Sequence, residues 1–294
     1  MLSRVTFNSN FDQMVYQLQA VSSRYSRAME VASSGKKIGA PSDGASAYSR
    51  ILQKRDDLGR VENHQNAARR AAGELGRADS VLSTVYDELT RARELAVQGS
   101  SETYADEDLV ALADEIAGIR DSVLQRSNER FEGRYLFAGQ KTDGPAFGED
   151  GVYLGDDGIR KVIVGDNYKL DVNIPGDEIF VADGGVDVFG TLDALESALR
   201  SADRDAVQGS LDALDQALTQ VNDARVRLGA RWNQASNLDF FYEEQKVAIT
   251  DELSNIEDAD ATTAYTDLAH ISTSMKATLQ VASNLSRLSL LDYL

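Results

Sequence analysis

His64 and His270 are the only imidazoles in the chain, and cysteine is absent. A metal centre or an imidazole base needs companions: further ligands at short spacing, or a nucleophile and an orienting carboxylate. Neither histidine has them, and the two fall in different helical segments. Both therefore read as surface or interface residues. Without cysteine there is neither a disulfide nor a thiolate metal site.

The acidic turns Gly148-Glu149-Asp150-Gly151 and Gly155-Asp156-Asp157-Gly158 invite a calcium reading. They lack the alternating Asp/Asn ligands before a glycine and the distant bidentate Glu of a calcium loop, so turn chemistry is the expectation. Gly133, Gly139 and Gly144 do not form a phosphate loop, since none is followed directly by Lys-Ser/Thr; Gln140 separates Gly139 from Lys141-Thr142. Asp258 and Asp260 stand two apart, so on a helix they point to different sides. Capping and contact between subunits suit them better than acid–base work. The arginines of RVRLGARW (225–232) lie in an acidic body, and pairing with Asp or Glu is expected of them. The residues thus predict no catalytic group, no cofactor site and no metal site; the chain reads as a non-enzyme.

The elements that position these residues are mostly helices. Phe7, Phe11, Met14, Leu18, Val21, Tyr25, Ala28 and Ala32 recur at alternating steps of four and three, the stripe of a helix packed along another helix. That helix stops at Ser33-Ser34-Gly35. Gly35, Gly39, Pro41 and Gly44 then crowd one short stretch, and Pro41 inside a helix would cost roughly 3 kcal/mol. Ser42-Asp43 are good N-cap types for the run that follows.

That run carries Leu75, Ala78, Leu82, Val85, Leu89, Ala92 and Ala96 on one stripe up to Gly99. Continuous helix from 45 to 98 spans roughly 80 Å at 1.5 Å per residue, more than a globular core uses. A third helix follows a short link, antiparallel to the second. Gly133 to Gly190 holds 12 of the 22 glycines, and strands are expected at 151–154, 159–164, 168–174 and 178–182. Helix returns near Thr191. Trp232 sits on its stripe and is expected in the core. A final helix carries Ile271, Met275, Leu279, Leu285, Leu288 and Leu291.

Formal net charge is −18, and no basic face for nucleic acid is expected. The charge is uneven. Arg4, Arg24, Arg27, Lys36 and Lys37 outnumber Asp12, Glu30 and Asp43 over residues 1–45, while 262–294 sums to zero. Nearly neutral ends flank an acidic body. No apolar run reaches the ~18 residues of a membrane span, and the first residues lack the apolar core and cleavage site of a secretory leader.

The fold class expected is mainly α with a small β insert: a long antiparallel helical rod formed by both chain ends, with an inserted β-rich domain. Residues 1–44 with 262–294 would form a terminal-helix domain, 45–140 with 191–261 the rod, and 141–190 the insert.

Two segments in this plan resemble a known family. SSGKKIGAPSDGASAYS (33–49) resembles the segment after the first helix of bacterial flagellins, and SNIEDADATTAYTDL (254–268) the segment leading into their C-terminal helix. FEGRYLFAGQKTDGPAF (131–147), GDEIFVADGGVDVF (176–189) and the ending LSRLSLLDYL (285–294) are similar to the hook-associated branch of that superfamily. The resemblance implies a structural flagellar protein whose terminal helices build an inner tube. It would form a ring joining the hook, through another hook-associated protein, to the flagellin filament. Implied partners are copies of itself, that other junction protein, flagellin and a flagellar export chaperone. The implied location is extracellular, reached without a cleaved leader.

On this reading Phe7, Phe11, Met14, Leu18, Val21 and Tyr25 on the N-terminal helix form the assembly interface. Ile271, Met275, Leu279, Leu285, Leu288 and Leu291 on the C-terminal helix complete it. Gly35, Gly39, Pro41, Asp43, Gly44, Asp258 and Asp260 form the joint between terminal helix and rod. The alternatives are flagellin itself, an enzyme or glycan-binding module in the insert, and a cytosolic coiled-coil scaffold.

Overall fold

A computed structural model describes residues 2–102, 104–182 and 184–291, with the backbone alone for 2–11 and 285–291. In chain order the elements are α1 (Leu2–Ser34), a 3-10 turn (Pro41–Asp43), α2 (Ala45–Gly99), α3 (Asp106–Ser127), β1 (Arg130–Phe131) and β2 (Arg134–Tyr135). There follow β3 (Lys161–Gly165), β4 (Tyr168–Asp171), α4 (Asp177–Phe180), α5 (Val188–Arg200), α6 (Arg204–Glu257) and α7 (Ala261–Leu291). Mainly α with a small β insert is the fold class observed. The chain forms two compact units, Met1–Arg60 with Gln245–Leu294, and Val61–Glu244.

Aspartates set the helix starts. Asp187, Asp203 and Asp260 each accept the backbone N–H three residues on, at 3.0, 3.0 and 2.8 Å, and so begin α5, α6 and α7. Asp106, Glu107 and Asp108 fill the first turn of α3, where negative charge meets the positive end of the helix dipole.

In the unit 61–244, ion pairs fix the helix directions. Arg93 pairs with Asp215, Arg225 with Asp79 and Arg69 with Asp239. Numbers rise on α2 as they fall on α6, so the two run antiparallel. Arg91–Glu115 and Arg77–Glu129 make α3 antiparallel to α2 in the same way. Leu75, Leu82, Val85, Leu89, Leu109, Ile116, Leu214, Val221 and Leu228 bury the shared stripe. Gly99 is still helical and buried, and a Cβ on it would lie 2.4 Å from Leu199 Cδ2. Close approach of α5 therefore explains this glycine as well as its place at the helix end.

The segment after α3 departs from the strand expectations. β1 and β2 form a hairpin around Glu132 and Gly133, both at positive φ (49° and 83°), the type I′ geometry that matches strand twist. β3 and β4 pair antiparallel with a bulge between Ile163 and Gly165. The expected strand at 151–154 is only an isolated bridge between Phe147 and Tyr153. The expected strand at 178–182 is instead the helical turn α4, where the Phe180 N–H donates to the Gly176 carbonyl at 2.8 Å. Ile179 and Phe180 are both buried, against the alternation of a strand with one face in solvent. The expected strand 168–174 stops at Asp171. Beyond it the buried Asn173 accepts the Arg160 N–H at 2.7 Å and donates to the Gly158 carbonyl at 3.1 Å, doing the ladder's work with a side chain.

This segment buries its aromatics in the same core as the helices. Phe147 lies 5.2–5.3 Å, centroid to centroid, from Tyr153, Phe180 and Phe189. The core joins them to Leu109, Leu192 and Leu214. Trp232, expected in the core, is 43% exposed. It lies across Gly76 of α2, where a Cβ would stand 3.3 Å from its Nε1, at the rim of the α2–α6 seam. Phe147→Ala should destabilise this unit by about 3–5 kcal/mol, the cost of emptying a large buried site. Urea unfolding of the full chain checks it, and a loss under 1 kcal/mol would contradict the shared core.

Candidate functional site: a two-carboxylate joint

α1 ends because Gly35 turns left-handed (φ +71°) while its N–H still donates to the Val31 carbonyl at 2.9 Å. Residues 36–38 then run against the end of α6. Lys36 and Asp258 form an antiparallel bridge. The N–H groups of Lys37 and Ile38 donate to the Glu257 carbonyl at 2.8 and 3.3 Å, and the Ala259 N–H to the Gly35 carbonyl at 2.8 Å. Lys37 Nζ adds a bond to the Asn255 carbonyl at 2.8 Å.

The loop next wraps a carboxylate. The N–H groups of Gly39 and Ala40 both donate to Asp43 Oδ2 at 2.8 Å. The Arg27 guanidinium, reaching from α1, pairs with the same carboxylate and donates to the Lys37 carbonyl at 3.3 Å. The Asp43 side chain is 3% exposed. Its hydrogen bonds from Arg27 first, then from Ala40 and Gly39, hold the carboxyl far below the usual carboxylate range. Asp43 thus faces back into the loop and not forward as the N-cap of α2. The first helical bond there runs from Tyr48 N–H to the Gly44 carbonyl at 2.8 Å. The loop's unpaired N–H groups and Arg27 give the charge more partners than a helix start could. Pro41, with φ fixed by its ring, opens the 3-10 turn that closes on Gly44.

A second carboxylate sits opposite. Glu257 is the last residue of α6, and its side chain is 4% exposed. It pairs with Lys36 and accepts from Arg55 of α2 at 2.7 Å. Asp260 caps α7, and the Thr263 backbone N–H it accepts draws its pKa below the ordinary value. Asp258 takes the Ser254 hydroxyl at 2.6 Å.

The structure therefore places Gly35 and Asp258 on two facing segments joined by an isolated bridge, and Gly39, Pro41, Asp43 and Gly44 in one turn. Asp260 stands apart as a cap. Arg27, Lys36, Arg55 and Glu257 are the partners that sequence reasoning missed. Their signal was the surplus of basic residues near the first helix, which leaves a nearby carboxylate in demand.

Met14, Leu18, Val21 and Tyr25 are half-buried along α1, which packs on α7; Ile271 and Met275 are half-buried on α7. Leu279 is exposed. The side chains of Phe7, Phe11, Leu285, Leu288 and Leu291 lie outside the described residues. Second apolar faces stay open: Val15, Tyr16 and Met29 on α1, Tyr265 and Val281 on α7. A groove of about 430 Å³, lined by Arg24, Val31, Ala264 and Ile271 among others, opens between the two helices.

His64 Nε2 lies 3.3 Å from Asp166 and its ring 5.8 Å from Tyr242; His270 is exposed on α7. Arg225, Arg227 and Arg231 all meet carboxylates. Asp150 and Asp156 accept nearby backbone N–H groups, as turn residues do. Among the described residues no group of three metal-ligating side chains converges, and no helix is long and apolar enough to cross a membrane.

Because the folded Asp43 carboxyl titrates below its unfolded value, its stabilisation is whole at neutral pH. It is lost only as pH falls below about 4 toward the folded pKa. Exchange protection of the Gly39 and Ala40 amides should follow that acid loss, and Asp43→Asn should remove the pH dependence. Protection that fades already near pH 6 would contradict the assignment. Glu257→Gln should weaken the joint by about 1.5–3 kcal/mol, the range for hydrogen bonds to a charged group, read as faster exchange at Lys37 and Ile38.

A family model of the bacterial flagellin N-terminal helical region matches residues 6–142, and one of the flagellin C-terminal helical region matches residues 211–294. The chain is 27% identical to flagellar hook-associated protein 3 of Escherichia coli, over 95% of this chain and 97% of that protein. It is 28% identical to a flagellin of Halalkalibacterium halodurans, over 71% of this chain and 68% of that one. A solved structure of a flagellar hook-associated protein from Vibrio parahaemolyticus superposes with a TM-score of 0.69 at 25% identity, covering 74% of this chain and all of that one. Likeness to the hook-associated protein runs nearly end to end, while the flagellin match is shorter. The chain belongs to the flagellin superfamily, among its hook-associated proteins.

Proposed function

We propose that this protein is a structural subunit of the bacterial flagellum that joins hook to filament. Through α1 and α7 it assembles with copies of itself into a ring, with another hook-associated protein on one side and flagellin on the other. The observation that carries this reading is the open second face of both terminal helices. Two helices bury one stripe each, and Tyr16, Met29, Tyr265 and Val281 remain in water until other subunits cover them. Contacts of this kind are heterologous, so that they close into a ring or continue as a tube. The role is mechanical and uses no catalysis. The protein works outside the cell, delivered by the flagellar export route with a chaperone.

Flagellin is the less supported reading, because its similarity covers less of the chain. Copy number separates the two. Immunogold label confined to the base of each filament is expected; label along the whole length would mean flagellin. Removing the gene should leave hooks bare and flagellin shed into the medium, and normal filaments would contradict the junction role. Tyr16→Asp should change the unfolding free energy of the monomer by no more than about 0.5 kcal/mol, as exposed substitutions do, yet abolish filament growth.

A further inference from the structure

Every sulfur atom of this chain belongs to a methionine, because cysteine is absent. Apart from Met1, the methionines are Met14 and Met29 on α1 and Met275 on α7; residues 61–244 hold none. Easily oxidised side chains are thus confined to the terminal helices. Met14 and Met275 are half-buried on the two helices that pack together, while Met29 is 48% exposed. Met29 stands two heptads after Val15, which is also exposed, so the two share one flank of α1 beside the stripe given to α7.

A thioether is apolar and pliable, suited to fill the uneven surface of a partner. Its sulfoxide is polar and chiral, and it disrupts contacts built on methionine. We infer that Met29 is an oxidation site that controls assembly: a hydroperoxide acting on the free subunit converts its thioether to the sulfoxide and so stops the open face of α1 from being covered. The sulfur lone pair attacks one oxygen of hydrogen peroxide. An S–O bond forms as the O–O bond breaks, the proton on the transferred oxygen passes to the departing one, and water leaves. Sulfur is oxidised by two electrons, and the peroxide is reduced by the same two. Subunits that already cover Met29 shield it from the oxidant, so a finished assembly resists what disables a free subunit. The inference rests on the proposed assembly through α1 and α7 and names a chemical control of that same face.

The test treats full-length protein with hydrogen peroxide, either free or after association followed by light scattering. Peptide mass analysis should find oxygen on Met29 before Met14 and Met275 in free protein, and much slower uptake at Met29 in associated protein. Oxidised free protein should associate about tenfold more weakly, the loss of one interface anchor. The fluorescence of Trp232, the only tryptophan, should not change, since residues 61–244 carry no methionine. Methionine sulfoxide reductases acting on both epimers should restore association. Met29→Leu should associate equally before and after peroxide, while Met14→Leu combined with Met275→Leu should keep the wild-type sensitivity. Oxygen on Met14 and Met275 with none on Met29, undiminished association by protein whose Met29 carries it, or an equal loss in Met29→Leu would overturn this site and leave the junction role standing. An untreated wild type that neither associates nor labels the filament base would overturn both.

Discussion

A helix can give one stripe to one partner, and that constraint governs the terminal unit of this protein. α1 and α7 have each other, and their best stripes, from Met14 to Tyr25 and from Ile271 to Met275, are only half-buried. In the unit 61–244 the helices have several neighbours, and Leu75, Leu82, Leu109 and Leu214 are fully buried. With roughly 25 cal/mol gained per Å² of apolar surface removed from water, the same residue types stabilise one unit far more than the other. On the proposed function, what the terminal helices lack is supplied by neighbouring subunits.

The joint answers a different need. A chain leaving α1 must change direction before α2, and its peptide groups must find partners while it does. Two carboxylates do this from opposite sides. Asp43 gathers the loop's N–H groups and the Arg27 guanidinium; Glu257 gathers Lys36 and Arg55 while its carbonyl holds Lys37 and Ile38. The joint is thus built within one chain, from residues at both ends of the sequence. It sets how the terminal helices leave α2 and α6 before any second subunit arrives.

Much of this was legible in the sequence. Heptad stripes located α1, α2, α3, α6 and α7 because long helices repeat one signal many times. The break at 35–44 was visible because Gly and Pro act locally. Strands were read poorly. Ile179 and Phe180 carry β propensity, but the buried aromatic cluster took both, and here a helical turn presents the two successive residues to one core. Trp232 shows the limit of stripe reading, since a residue on the edge of a seam keeps the spacing yet stays open. Asp43 was placed at the joint with the wrong partner, and Glu257 was passed over for Asp258 and Asp260. Ion-pair choice depends on which side chains arrive from residues 27 and 55, and no local pattern carries that.

Amide hydrogen exchange on the full-length protein, free and assembled, tests the central claim most directly. The account predicts weak protection along α1 and α7 in dilute monomer, strong protection of α2, α3 and α6 within residues 61–244, and a large gain confined to α1 and α7 on assembly. Protection of α1 and α7 in the monomer equal to that of the 61–244 core, unchanged when subunits associate, would contradict it.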